Sequence, residues 1–268
     1  MLDSTRKEVS MNFQNRGIPL DDKGMDLICD TLGVADAEVW AILNVETRGF
    51  GFFQDRRSQL LFERHIFHRL TNGRYDSGNA DVSNRKPGGY LKGSDEYIRL
   101  EKALQLDKEA ALQSTSWGIG QVMGFNFKVA GFSSTEAMVT EMVKDENSQL
   151  TAMANFIKEN NLAGALQRKN WASFARGYNG KDYKINEYDT RLAAAYAKFK
   201  VILPDLTLRR AQAALLYLGI DPGSIDGLRG RFTRSALIKF QERSGLPING
   251  ELDSDTETEL LKEAFGPV

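Results

Sequence analysis

Three observations predict a mainly helical protein made of one large domain and one small one. Apolar residues recur at helical spacing through most of the 268 residues, as in DLICDTL and VWAILNV. One stretch alone, FGFFQDRRSQLLF at 50–62, reads as two short extended segments around a polar turn, a small β-hairpin. Near the C-terminus, IDGLRGRFT and INGELDSDT form an internal repeat, with Ile225/Ile248, Thr233/Thr256 and Leu237/Leu260 all at the same interval. The length suffices for two cores.

The elements follow in order. Residues 1–16 are polar and without sustained period, so they are expected to form a flexible N-terminal arm in which Met11 offers an alternative start. Asp21 caps a first helix and Gly33 ends it. Asp36 caps a second, whose apolar stripe of Val39, Trp40, Ile42 and Leu43 reaches Glu46 before Gly49 and Gly51 stop it. After the hairpin comes a helix through His68, then TNGRYDSGNADVSNRKPGGY, a long loop by its Asn, Gly and Pro content. Loops of that length often wall a site. Helices are expected at 94–113, 133–145, 147–160, 162–168 and 187–199, separated by the glycine-punctuated STSWGIGQVMGFNF and WASFARGYNG. Pro204 marks the boundary: a large domain at 17–202, a small one at 205–268.

Composition narrows the function classes. Net charge is -1, and residues 204–268 carry 8 basic against 10 acidic side chains, so neither part looks like a nucleic-acid binder. Cys29 is the only cysteine, which excludes a disulfide framework and reads as a small buried hydrophobe rather than a catalytic thiol. The N-terminus lacks an apolar h-region and no apolar run has the length of a membrane span, so cytoplasmic accumulation without stable membrane association is expected.

Glu46 is the sharpest chemical candidate. A carboxylate at the end of an apolar helix, flanked by Val45 and facing Phe50, Phe52 and Phe53, would lose hydration and stay protonated. Glycosidic cleavage needs such a proton donor at the leaving oxygen. The bland alternative is a solvated carboxylate closing a helix. For a second carboxylate, Asp55 lies in a polar turn and Glu63 beside Leu61 and Phe62, where an ion pair with Arg64 is the competing structural role. His65 and His68 have helical spacing for one metal, but further ligands are wanting, so no metal and no cofactor is expected and His65 is read as a cleft wall. GxSxG and Walker patterns are absent. Around Trp117, Phe125, Trp171 and Tyr178, polar residues alternate with the aromatics, a mixture suited to sugar rings and their amide arms and equally to any turn-rich segment.

At VETRGFGF (45–52), LFERHIF (61–67), SWGIGQVMGFN (116–126) and FARGYNG (174–180) the large domain resembles the N-acetylmuramidase domains of phage and prophage endolysins. That resemblance implies a lysozyme-like α+β fold, hydrolysis of the β-1,4 bond between N-acetylmuramic acid and N-acetylglucosamine, and Glu46 as the catalytic glutamate. It carries Ser116, Gln121, Tyr178 and Asn179 to substrate contact, with Trp117 and His65 as further candidates there; it leaves the second catalytic group open, with Glu63 ranked above Asp55. Residues 207–264 resemble a three-helix peptidoglycan-binding module, implying wall contacts near Asp226, Gly227, Thr233, Phe240 and Gln241, with each turn feeding a threonine-capped helix. The combination implies a monomeric endolysin, tethered to peptidoglycan and reaching the periplasm through a holin-type pore. A lytic transglycosylase giving anhydro-muramic ends, or a non-catalytic wall-binding phage structural protein, are the rivals.

Overall fold

The computed structural model describes residues 11–46 and 49–266. The central element is a helix that is apolar almost all round. In α2 (Asp36–Glu46), Val39, Trp40, Ala41, Ile42, Leu43 and Val45 are all buried. A helix without a polar face belongs in the middle of a domain, and α2 is wrapped by α1 (Asp22–Leu32), later by α10 (Tyr188–Phe199). Asp21 caps α1 as expected, accepting from the Gly24 amide at 2.9 Å, and Gly33 ends it at φ 63°. Asp36 falls inside α2 as its first residue.

The predicted hairpin is realised differently. Phe52 and Ser58 form an isolated bridge around the turn, and the outgoing segment becomes β1 (Leu60–Phe62). Its sheet partner lies far along the chain: β2 (Thr115–Trp117) pairs antiparallel with β1, Leu61 opposite Ser116, and with β3 (Val122–Met123), Ser116 opposite Met123. A three-residue strand shows no period of its own, so β2 and β3 are set by pairing, not by local pattern.

After α3 (Arg64–Leu70), two arginines pin the long loop by its carbonyls. Arg64 donates to Ala80, Lys86 and Pro87, and Arg99 to Asp81 and Gly88. The helix expected over 94–113 breaks into α4 (Glu96–Leu106) and α5 (Lys108–Gln113). Asp107 is the reason: its backbone is extended and its side chain accepts from Ala110 N at 3.0 Å, so it caps the second helix instead of continuing the first. Then come α6 (Thr135–Met142), α7 (Glu146–Glu159), α8 (Ala163–Gln167) and α9 (Trp171–Asn179). The last is a helix where a punctuated segment was expected. Asn170 caps it, and Gly177 admits the Leu162 side chain, which a Cβ there would meet at 2.3 Å.

The described part of the arm is not loose. Phe13 is buried and stacks on Trp117 with ring centroids 5.7 Å apart, Gln14 bridges Arg57, and Ile18 bridges Asp145. Residues 1–10 lie outside the described residues.

The small module comprises α11 (Leu206–Tyr217), α12 (Arg231–Ser244) and α13 (Ser254–Phe265) around Ala214, Leu215, Leu237, Phe240 and Leu260. Its repeat is held by two equivalent carboxamides. Gln212 accepts from Asp226 N and Gly227 N and donates to Asp226, Leu228 and Thr233; Gln241 accepts from Asn249 N and Gly250 N and donates to Asn249, Glu251 and Thr256. The threonines are therefore not caps. Gly230 and Asp253 hold the cap positions, and Thr233 and Thr256 sit a turn inside as acceptors for the glutamines. A third apolar cluster, Phe50, Phe52, Ala213 and Ile225, joins the two domains.

Candidate active site

Helix α2 runs its apolar length through the core and ends at an open cleft. Val45 lines that cleft of about 340 Å³, with Leu60 and Leu61 of β1, Ile119 and Gln121 of the β2–β3 turn, and Arg191 of α10 around it. Glu46 closes α2; its side chain, with Thr47 and Arg48, lies outside the described residues, and so does the expected loss of hydration there. Of the three phenylalanines expected to face it, Phe50 and Phe53 line the cleft. Phe52 does not; it packs with Phe50, Ala213 and Ile225 toward the small module.

One wall of the cleft is a strained turn fixed by hydrogen bonds. Gln121 holds a left-handed φ of 47°, uncommon for a residue with a side chain. Its carboxamide accepts from Ser116 Oγ at 2.8 Å and donates to Gly118 O at 2.8 Å. Tyr178 supports the same turn from behind, donating to Gly120 O at 2.7 Å and stacking on Phe174. So among the expected substrate contacts, Gln121 lines the cleft, while Ser116 and Tyr178 position the turn that carries it. Asn179 closes α9 beside Tyr178. Trp117 is corrected outright: it is wholly buried, its indole donating to Leu112 O, and serves the core under the sheet.

The two candidate second carboxylates have distinct surroundings. Asp55 is committed to its own turn, with Oδ2 accepting from Arg57 Nε at 2.8 Å and Oδ1 from Arg57 N at 3.1 Å. Glu63 stands at the head of α3, and Arg64, its expected ion-pair partner, is occupied with the loop carbonyls. Instead Tyr90 Oη donates to Glu63, 3.0 Å from Oε2, and His65 Nδ1 lies 3.1 Å from the same oxygen without hydrogen-bond alignment. Burial and the Glu63 charge push the Tyr90 phenol above its usual pKa, so it remains a donor. His68 turns to another partner, Asp76 Oδ1 at 2.9 Å, so the two histidines do not converge; among the described residues no cluster of His, Cys, Asp and Glu has the makings of a metal site.

Several residues at this site escaped sequence reasoning. Gln59 donates to Phe50 O at 2.7 Å, and Arg191 donates to Val45 O at 3.2 Å, a cation at the C-terminal end of α2. Glu146 and Gln149 on α7 organise the cleft from beneath. Glu146 accepts from Gly51 N at 2.7 Å, and Gln149 accepts from Ile119 N at 2.7 Å and donates to Gly51 O. Glu146 falls between the helices expected at 133–145 and 147–160, and neither it nor Gln149 carries a local sign of such a role. In the small module, Thr233, Phe240 and Gln241 are buried, Gly227 is buried, and Asp226 is engaged by Gln212 and Leu228 N. Thr233, Phe240, Gln241 and Gly227 thus belong to the module's interior, and half-buried Asp226 holds a turn.

A buried helix ending at a cleft, a small antiparallel sheet forming one wall, and a separate three-helix module define a lysozyme-like domain joined to a helical binding module. Residues 35–200 match the N-acetylmuramidase family, and with more than half the sequence so matched, the chain belongs to that family. Residues 206–260 match the peptidoglycan binding domain family. Among solved structures, the crystal structure of Burkholderia AP3 phage endolysin is similar, at 38% identity and a TM-score of 0.64, over 68% of this chain and 71% of that one. No curated protein matches the chain.

Proposed function

We propose that the protein is an endolysin that hydrolyses the β-1,4 bond between N-acetylmuramic acid and N-acetylglucosamine, with Glu46 as the general acid. The observation that supports this most is the delivery of the end of α2 to an open cleft, with Val45, the residue before Glu46, in the cleft wall. Glycosidic cleavage needs a proton on the leaving oxygen as oxocarbenium character develops, and a carboxylic acid at the cleft supplies it. Glu63, held by Tyr90, is preferred over Asp55 as the group that orients water, because Asp55 already has its oxygens on Arg57. The small module holds the enzyme near its insoluble substrate by effective concentration. The similarity to a phage endolysin supports a role in host lysis. Among the described residues no helix is long and apolar enough to cross a membrane. The same reading has the protein act as a monomer that passes from the cytoplasm to the wall through a separate holin-type pore.

Release of reducing ends from purified sacculi tests the reading. Wild type should release them, Glu46→Gln should lose the activity by at least about 100-fold, and Glu63→Gln should lose more than Asp55→Asn. Equal activity of wild type and Glu46→Gln would refute it.

A further inference from the structure

Behind the cleft, the domains meet through a fully buried ion pair. Arg209 of α11 and Glu146 of α7 are both wholly inaccessible, and the guanidinium grips both carboxylate oxygens. Arg209 Nη2 also donates to Gly49 O at 2.7 Å. The Glu146 carboxylate in turn accepts from Gly51 N at 2.7 Å and from Leu20 N at 2.8 Å. Gly49 and Gly51, on the stretch between α2 and β1, are therefore both held, one directly by the small module's arginine and one through its carboxylate partner.

We propose that Arg209 is a positioning residue for catalysis, fixing the Gly49–Gly51 loop and with it the end of α2; this rests on the reading of Glu46 as the acid. A buried ion pair is a poor way to gain stability alone, since desolvation offsets much of the attraction. What a fork of parallel N–H donors supplies is geometry. The module's own fold does not ask for this arginine. Gln212 and Gln241 occupy equivalent places in the repeat, and three residues before them stand Arg209 and Ile238, so the buried charge departs from the repeat. Beside it Phe50 and Phe52 pack against Ala213 and Ile225, and elsewhere in the interface Tyr217 Oη donates to Gly17 O at 2.7 Å and Arg56 to Ala264 O at 2.6 Å. The small module thus acts on turnover as well as on wall attachment. Its contribution to turnover persists on a soluble substrate that needs no tether.

The test uses full-length Arg209→Lys and Arg209→Met with soluble, uncross-linked glycan strands, reading kcat and KM from reducing-end release. Thermal unfolding and cosedimentation with sacculi report fold and wall binding. Lysine keeps the charge beside Glu146 but cannot make the fork and reach Gly49 O together, so it is the decisive variant. Expected is a folded, sacculus-binding Arg209→Lys with kcat lowered on the order of 10-fold and KM within about two-fold, and a larger loss for Arg209→Met, as misplacement of about 1 Å can cost 100-fold. Wild-type kcat in folded Arg209→Lys, or a loss confined to KM or cosedimentation, overturns the inference while Glu46→Gln stays dead. Wild type that is itself no more active than Glu46→Gln on the strands overturns the Glu46 reading and this inference together.

Discussion

Replacing Gly51 by alanine should damage the protein through one contact. A Cβ on Gly51 would stand 2.0 Å from Gln149 Oε1, 3.0 Å from its Cδ and 3.2 Å from Glu146 Cγ. An ordinary contact needs well over 3 Å, so the Gln149 carboxamide must retreat by more than 1 Å. That oxygen is the acceptor for Ile119 N, and the same amide donates to Gly51 O, Ser58 Oγ and Met142 O. Overpacking a tight interior costs about 1–3 kcal/mol, and stranding the buried Ile119 amide about 1–3 kcal/mol more. The expected loss is therefore about 2–6 kcal/mol, a fall in Tm of roughly 4–24 °C for a domain of this size. Urea unfolding of Gly51→Ala, Gln149→Ala and the double variant measures it. Shortening Gln149 removes the obstacle, so the double variant should be less destabilised than the two singles together, with about 1–3 kcal/mol of coupling. A Gly51→Ala protein within about 0.5 kcal/mol of wild type, or strict additivity, would refute the reasoning.

Other consequences follow from the same contacts. Gln212→Leu and Gln241→Leu remove equivalent carboxamides from equivalent turns, so each should destabilise the small module by about 2–4 kcal/mol, leaving turn amides unpaired; unequal effects in urea melts would break the claimed equivalence. Hydrogen bonds from His68 and Ser83 hold the Asp76 carboxyl below its usual pKa. The lowered folded value means that its stabilising contribution is complete above the ordinary carboxylate range and is lost as pH falls from that range through the lowered value, so Asp76→Asn should flatten the acid end of a Tm–pH curve. Burial, then the neighbouring Asp36, pushes the Cys29 thiol up to about 12, so native protein at pH 8 should resist iodoacetamide that labels the unfolded chain readily. Labelling at equal rates in both states would contradict it.

Much of this architecture is legible because short-range rules decide it. The capped α1, the apolar α2 ending at Glu46 and the repeat in the small module each follow from period, caps and turns within a dozen residues. What stays hidden depends on partners far along the chain. Leu60–Phe62 is extended as expected, but its strand partner, Thr115–Trp117, lies far along the chain, and Phe13 leaves the loose arm because Trp117 and Tyr97 offer it a buried face. Trp117 looks like a sugar platform in a polar segment, yet it is wholly buried, since a sheet alternates faces and its neighbour Ser116 takes the polar one. The site is legible to the same degree. Glu46 and the Gln121 turn carry local signatures, whereas Glu146, Gln149 and Arg209 act across the whole chain and look locally like ordinary helix residues. Likewise three of the five module residues expected to touch the wall, Asp226, Gly227 and Thr233, belong to the repeated turns, and a repeat is recognisable by what holds its turns together.

The central claim is cleavage of glycan strands through Glu46, and mass spectrometry of soluble fragments from purified peptidoglycan tests it most directly. Wild type should yield fragments ending in reducing N-acetylmuramic acid, and Glu46→Gln should yield none. Anhydro-muramic ends would make the enzyme a transglycosylase that keeps the same acid, and fragments undiminished by Glu46→Gln would contradict the account.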